Sequence, residues 1–448
     1  MILSKLQVPK KFNFLIFLLF VHFSANVVVA QKVYDLSRCI QTGLERNFSL
    51  QVVRNYETIA VNNHSLGNAG MLPTLNATNR FGGTLYSTHQ NYRDGGQNTY
   101  SNIHNTSGSA ALNLGMTIFN GFQVQNTYQK LGKLSDLGGL NTQMFIENLV
   151  ARIVTEYNYY IQQLIQSENL AYAVSLSRER VRIDEERYLL GSASKLDLLQ
   201  STVYFNADSS RYARQKEVIR SSQIRLNELM AVDDLGENII LKDTLIVIDE
   251  ELLYDELEAL TRNYNTGLQI ASKNQAISEL DYKIIKSRSY PYLTMSSGYS
   301  YFYNGYETGT ITNQHVQGMN YGVTLGVPIF DGFNRNRQKS NARIEIENRG
   351  IQYREIEQEV TADLLTIYYA YENNLSLLRL EEQNLEVARE NLEIALERYK
   401  LGNLSGLELR EVQKSLLDAE ERLVSVMFQT KLAEISLLQI SGRIMDYL

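Results

Sequence analysis

Histidine and cysteine are the residues best suited to metal or nucleophilic chemistry, and in this chain their spacing supports neither. His22, His64, His89, His104 and His315 are too scattered for any two to share a metal at ligand spacing. Cys39 stands alone and cannot form an internal disulfide. Its polar surroundings lack the small-residue pattern of a lipid-modified cysteine, so it is expected to be a buried helix residue. There is no phosphate-binding glycine loop and no G-x-S-x-G turn. The chain is therefore expected to be no enzyme and to hold no cofactor or metal. Without a nucleotide site, the chain cannot itself draw energy from a nucleotide.

What the residues do show is repetition. Leu114-Gly115-Met116-Thr117-Ile118-Phe119-Asn120-Gly121-Phe122 returns as Leu325-Gly326-Val327-Pro328-Ile329-Phe330-Asp331-Gly332-Phe333, and Arg187-Tyr188-Leu189-Leu190-Gly191 returns as Arg398-Tyr399-Lys400-Leu401-Gly402. Both separations are 211, and Tyr157 and Tyr160 fall on Tyr368 and Tyr371 at the same distance. Earlier in each half the separation is 216 at Arg46 and Arg262 and 218 from Leu50 and Leu268 through Pro73 and Pro291. Internal self-similarity of this kind marks two structural repeats, 31–240 and 241–448.

Residues Met1 to Ala30 read as a secretory signal, with Lys5, Lys10 and Lys11 ahead of an apolar run from Phe12 to Phe23 and Val28-Val29-Ala30 as the cleavage site. The other reading is a membrane anchor, for which the run is short of the roughly 20 residues needed. No other stretch approaches a transmembrane helix, so a membrane location has to come from strands. Removing the signal takes three lysines and no acid, leaving 40 basic against 50 acidic residues and a charge of −10. An acidic chain argues against nucleic acid as a partner.

Each half opens with a helical segment (34–65 and 252–287), and then the period changes to two. Tyr321, Val323, Leu325, Val327 and Ile329 alternate with Gly322, Thr324, Gly326 and Pro328; Leu112, Leu114, Met116 and Ile118 alternate with Asn113, Gly115 and Thr117. The expected strand hairpins span 74–119 and 292–330, joined through polar loops at 91–108 and 304–318. Such alternation sets one face in an apolar medium. It fits either a half-buried sheet of a soluble protein or a barrel shared among protomers and facing lipid. Two hairpins cannot close a barrel alone, and a bilayer forbids open edges. Tyr86, Tyr92, Tyr290, Tyr292, Tyr299, Tyr301, Tyr303 and Tyr306 cluster in or beside these strands, as aromatic residues do at membrane interfaces.

Beyond each Phe-Asn/Asp-Gly the chain is proline-free and reads as helix for about 65 residues, about 100 Å at 1.5 Å per residue. Leu378, Leu385, Leu392 and Tyr399 recur every seven residues, with Ala388 and Ala395 three after two of them. Past Gly402 the pattern resumes at Leu409, Leu416 and Leu423 and at Val412, Ala419 and Val426. Sustained heptads mean helices packed side by side, folded back at Gly191 and Gly402 into antiparallel hairpins.

A signal, a helix, a strand hairpin ending in P-I-F-D-G-F, a long helix, an R-Y-x-x-G turn and a returning helix, all duplicated, resembles the TolC-type outer-membrane efflux proteins over essentially the whole mature chain. The resemblance implies a mainly α fold with a β-barrel portion: a homotrimer with four strands per protomer in a shared transmembrane barrel and long helical hairpins in a periplasmic α-barrel. It further implies a passive exit duct of a tripartite efflux or type I secretion system, with a periplasmic adaptor (membrane fusion) protein, an inner-membrane pump of RND or ABC type and outer-membrane lipid as partners. A secreted or periplasmic coiled-coil rod without a channel is the alternative.

On the same resemblance, Asn120-Gly121 and Asp331-Gly332 are strand–helix junctions at the membrane's inner face. The turns carrying Arg187, Tyr188, Gly191, Arg398 and Gly402 are adaptor-contacting tips. Asp197 and Glu408, with Gln200 and Glu411 three residues on, are acidic or polar lumen residues at the entrance constriction. Tyr399 matches an aromatic that holds the tip closed, whereas Leu404 stands where the family has arginine, so hydrophobic contacts around Leu404 are expected instead.

Overall fold

The computed structural model describes residues 33–448; the expected signal segment lies outside the described residues. Strand β1 (Val33–Tyr34) leads into helices α1 (Leu36–Arg46), α2 (Phe48–Asn63) and α3 (Leu66–Ala69). The hairpin β2 (Thr74–Asn91) and β3 (Gln97–Asn120) follows, then the long α4 (Gln123–Leu189) and the return helix α5 (Lys195–Met230). After β4 (Ile240–Leu241) the same series recurs as α6 (Tyr254–Tyr264), α7 (Thr266–Ser287), β5 (Tyr292–Gly305), β6 (Asn313–Gly326), α8 (Asn334–Lys400) and α9 (Gly406–Ile440). A short 3-10 turn, Ile444–Tyr447, ends the chain. Both α4 and α8 are 67 residues long, about 100 Å, and both their ends keep the 211 separation.

The same capping chemistry opens α2 and α7. Asn47 and Asn265 each accept a side-chain hydrogen bond from the backbone N–H three residues on, at 3.1 and 3.0 Å. Each also donates its amide to the end of a return helix, Leu229 O at 3.2 Å and Ile440 O at 3.0 Å. One residue type thus starts one helix and docks another. The segment between the halves wraps across both long helices: Tyr157 donates to Asp243 Oδ2 at 2.6 Å and Tyr371 to Asp249 O. Around them Ile153, Leu226, Leu257, Leu364 and Leu437 form the core, with Cys39 buried among them as expected.

The four long strands form one antiparallel sheet in the order β2-β3-β5-β6. Its register sets Leu112 beside Ala77 on one side and Tyr299 on the other, and Tyr299 beside Met319. One face therefore carries Leu75, Phe81, Leu112, Leu114, Tyr299, Tyr301, Tyr321, Val323 and Leu325, and the other carries mainly Thr, Ser, Asn and Gly.

Three expectations need correction. The polar loops at 91–108 and 304–318 are mostly strand; the connections are only residues 92–96 and 306–312, because β-pairing satisfies the backbone whatever the side chains are. Strand β6 stops at Gly326, short of 330, whereas β3 runs on to Asn120. Pro328 has no N–H to give a ladder, and Thr117 in the other half does. Finally, α9 is long and apolar enough to cross a membrane by composition, with a mean hydropathy of 1.2 over its best window. Its apolar residues Ile435, Leu437 and Leu438 are instead buried in the core, which is why they are apolar.

Candidate functional site at the helical tips

Both hairpins turn by the same backbone device. Ser192 N–H bonds Arg187 O at 2.8 Å and Gly191 N–H bonds Tyr188 O at 3.0 Å; Asn403 to Arg398 O and Gly402 to Tyr399 O repeat these distances. The pattern requires a left-handed residue just past the helix, and Gly191 and Gly402 have φ of +73° and +80°. Replacing either with valine is expected to cost about 1–2 kcal/mol from the left-handed conformation alone. Amide exchange over the tip should quicken in that variant while the core stays protected.

Each return helix then starts with a capping box. Ser194 Oγ accepts from Asp197 N at 3.2 Å while Asp197 Oδ2 accepts from Ser194 N at 3.0 Å. Ser405 and Glu408 do the same at 3.2 and 2.8 Å. The acids that the sequence singled out as lumen residues are thus also helix starts, and the S-x-x-D/E spacing was readable for that role. Hydrogen bonds from the Ser194 hydroxyl and then its N–H hold Asp197 below the usual carboxylate range; for Glu408 the Ser405 N–H leads and the hydroxyl follows. Their stabilisation is complete above the ordinary carboxylate pKa and fades only as pH falls through the lowered folded value. Gln200 and Glu411 are exposed one turn further on.

Tyr399, expected at the entrance constriction as an aromatic that holds the tip closed, lies buried at the tip. It is 3% exposed, between the two hairpins, with Leu404 packed beside it together with Leu385, Leu392, Leu409 and Leu416. Its hydroxyl donates to Asp184 Oδ1, its ring lies under the Arg187 guanidinium at 4.6 Å, and its carbonyl accepts from Arg187 Nη2. Burial, then the Asp184 carboxylate, pushes the phenol up to about 12, so it remains a donor throughout the physiological range. Hydrophobic packing does surround Leu404 as expected, and a polar latch stands next to it.

The sequence reading missed the rest of this latch. Arg180 (4% exposed) lies 3.8 Å from Asp184 (2%). One turn or two higher, Asp208 (1%) receives a bidentate fork from Arg410 at 2.7 and 2.9 Å and a hydrogen bond from Ser177. Tyr204 sits between the two guanidinium groups, with Arg180 at 5.2 Å and Arg410 at 5.0 Å from its ring. A signal did exist. At the 211 separation Asp184 and Asp208 fall on Ala395 and Ala419, seam positions in the other half. A charge where the twin buries alanine must be buried with a partner.

At the opposite end of the long helices, where they meet the strands, Gly121 and Phe122, like Gly332 and Phe333, all have φ between +61° and +68°. Asn120 and Asp331 accept from Val124 N at 3.2 Å and Arg335 N at 2.9 Å. The expected capping chemistry is present, with the phenylalanines rather than Asn and Asp at the cap position itself. A Cβ on Gly121 would lie 2.4 Å from Ser287 O, which explains that glycine.

Residues 258–443 match the family described as outer membrane efflux protein. No curated protein matches the chain. Among solved structures it is similar to CusC, whose crystal structures concern folding and transmembrane channel formation, at 16% identity over 92% of this chain and 93% of that one, with a TM-score of 0.73. It is similar to VceC, an outer membrane protein of Vibrio cholerae, at 15% identity over 91% and 96%, with a TM-score of 0.73. The CmeC outer membrane channel of Campylobacter jejuni gives 13% identity over 91% and 85%, again at 0.73. Residues 258–443 are thus similar to the outer membrane efflux protein family, and the described chain as a whole has the fold of these channel structures.

Proposed function

We propose that the chain is one protomer of a homotrimeric outer-membrane channel, the passive exit duct of a tripartite efflux or type I secretion system. The observation that carries this reading is the sheet. Its apolar face is exposed in the single chain, with Phe81 80% and Tyr321 84% accessible, and strands β2 and β6 leave both edges unpaired. Apolar surface of that extent calls for lipid, and open edges in lipid call for closure by further copies. Below it, helices of about 100 Å carry the tips across the aqueous space toward a periplasmic adaptor and an inner-membrane pump. Purified protein should conduct ions in planar bilayers and run as a trimer from outer-membrane fractions. A coiled-coil rod would give no current, and that result would sink the proposal.

Asp197 and Glu408 are exposed at the tips, and in a trimer each becomes a ring of three carboxylates that gathers cations. Replacing both with alanine is expected to lower cation selectivity and multivalent-cation block in the same bilayer recordings. Because hydrogen bonds from serine hold both acids below the usual range, the selectivity of the unaltered channel should persist to lower pH than free carboxylates would allow. Unchanged selectivity in the double variant would remove these residues from the conduction path.

A further inference from the structure

Helices α7 and α8 pack side by side next to the strands, and the groove between them carries charge of one sign. Arg343 of α8 donates from Nε and Nη2 to the Tyr282 hydroxyl of α7 at 3.3 and 3.2 Å. Its guanidinium stands 5.6 Å from the centre of the same ring. Lys286 of α7 and Lys339 of α8 lie one turn further toward the strands. Neither lysine forms an ion pair among the described residues. The Arg343 hydrogen bond, and then the charges of Arg343, Lys286 and Lys339, hold the Tyr282 phenol below its ordinary range. Every charge acting on it is positive.

The other half shows that the scaffold does not require this. At the separations of 218 and 211, Tyr282, Lys286, Lys339 and Arg343 fall on His64, Asn68, Tyr128 and Gly132. There the His64 ring stacks on Tyr128 at 4.5 Å, and a Cβ on Gly132 would lie 3.3 Å from the His64 ring. The same place is thus closed by two rings in one half and left open and cationic in the other. Like charges held this near repel, so a cluster kept without acids needs an anion from outside the chain to offset it.

The groove opens on the outer side of the helical wall. Arg343 and Arg379 are 36 residues apart (379 − 343), which at 3.6 residues per turn is a whole number of turns, so they leave α8 in the same direction. Arg379 bonds Glu250 at 3.2 Å, in the segment that wraps across both halves. A segment laid along the inner wall would obstruct a duct, so the side that carries it faces out.

We propose that Lys286, Lys339 and Arg343 bind the phosphate of an anionic lipid headgroup in the leaflet that meets the helices. This rests on the duct reading above, which sets the apolar face of the sheet in lipid. Lys286 lies six residues before β5 begins at Tyr292, and Lys339 five residues into α8, about 8 Å along the helix. Long basic side chains there reach up to the headgroups. The planar guanidinium fork matches phosphate oxygens, and the two ammonium groups add charge beside it. Lys283 and Arg288, also exposed, extend the cationic surface on α7. The place where the apolar sheet face ends is what assigns a lipid rather than a free phosphate.

The test titrates full-length protein in detergent with short-chain phosphatidylglycerol or phosphatidylcholine and counts bound lipid by native mass spectrometry. One phosphatidylglycerol per chain should bind at least about tenfold more tightly than phosphatidylcholine. Lys286→Gln, Lys339→Gln and Arg343→Gln together should abolish that preference. Lys195→Gln, Lys216→Gln and Lys414→Gln, which remove the same charge far from the strands, should keep it. Arg343→Lys, which retains the charge but not the fork, should fall between. A preference that survives the first triple variant, or that inorganic phosphate at equal concentration abolishes, overturns the lipid site and leaves the duct reading standing. So does a triple variant that binds lipid normally but changes ion selectivity in planar bilayers, since that puts the cluster on the inner wall. Protein that shows the lipid preference yet passes no current overturns the duct reading and not the site.

Discussion

Arg410→Ala is expected to destabilise the helical tip by about 3–5 kcal/mol, because it leaves Asp208 as a buried carboxylate without a countercharge. Only 2% of the Asp208 side chain and 11% of the Arg410 side chain are accessible, so water cannot replace the lost fork at 2.7 and 2.9 Å. The remaining bond from Ser177 satisfies one oxygen at most. Amide protection over residues 201–215 and 405–419 should fall by at least about two orders of magnitude, each tenfold corresponding to about 1.4 kcal/mol. Replacing both partners, Asp208→Leu with Arg410→Met, should recover most of the loss, since a well-packed apolar pair needs no countercharge. Protection unchanged in Arg410→Ala would mean that the pair does not hold α5 to α9.

Asp184→Ala is expected to have the second large effect, and it acts between the outbound helices. It removes the acceptor of the Tyr399 hydroxyl and the carboxylate 3.8 Å from Arg180. Arg180 already has Nε and Nη1 without a hydrogen-bond partner, so its buried guanidinium would lose its only nearby acid on α4. The expected cost is again about 3–5 kcal/mol, and the α8–α9 hairpin should loosen from the α4–α5 hairpin at the tip. In planar bilayers the variant should show larger and less fluctuating conductance than the unaltered protein. Tyr399→Phe, which loses one hydrogen bond but keeps the charge pair, should cost only about 1–3 kcal/mol and open the tip less. Equal effects from the two variants would place the stabilisation in the phenol rather than in the charges.

The elements were legible wherever a periodic pattern extended far. Proline-free runs of about 65 residues, with heptad spacing from Leu378 to Tyr399 in one of them, favour continuous helix, and Gly191 and Gly402 end the helices where only a left-handed residue fits. The strand ends were less legible. Polar residues 97–108 read as loop because alternation reports what a side chain faces, and here both faces of the hairpin are polar while the backbone still pairs. The tip was partly legible. Asp197 and Glu408 were picked out as acids, but their bonds to Ser194 and Ser405 follow from a local spacing that was overlooked. Asp184, Asp208 and Arg410 were missed because one helix's pattern does not reveal which residue from another helix will face it.

By itself the sequence determined the quantities that depend on distance along the chain: two halves of matched length, a strand hairpin at one end of each, and a glycine turn at the other. Those follow from local sterics and from the 3.6 and 2.0 periods of side-chain direction. Only the tertiary structure decided which faces meet. It brought Tyr399 inside between two hairpins and laid Arg410 across to Asp208 from 202 residues away. Those outcomes depend on burying charge and apolar area against particular neighbours, a condition set by the folded arrangement as a whole.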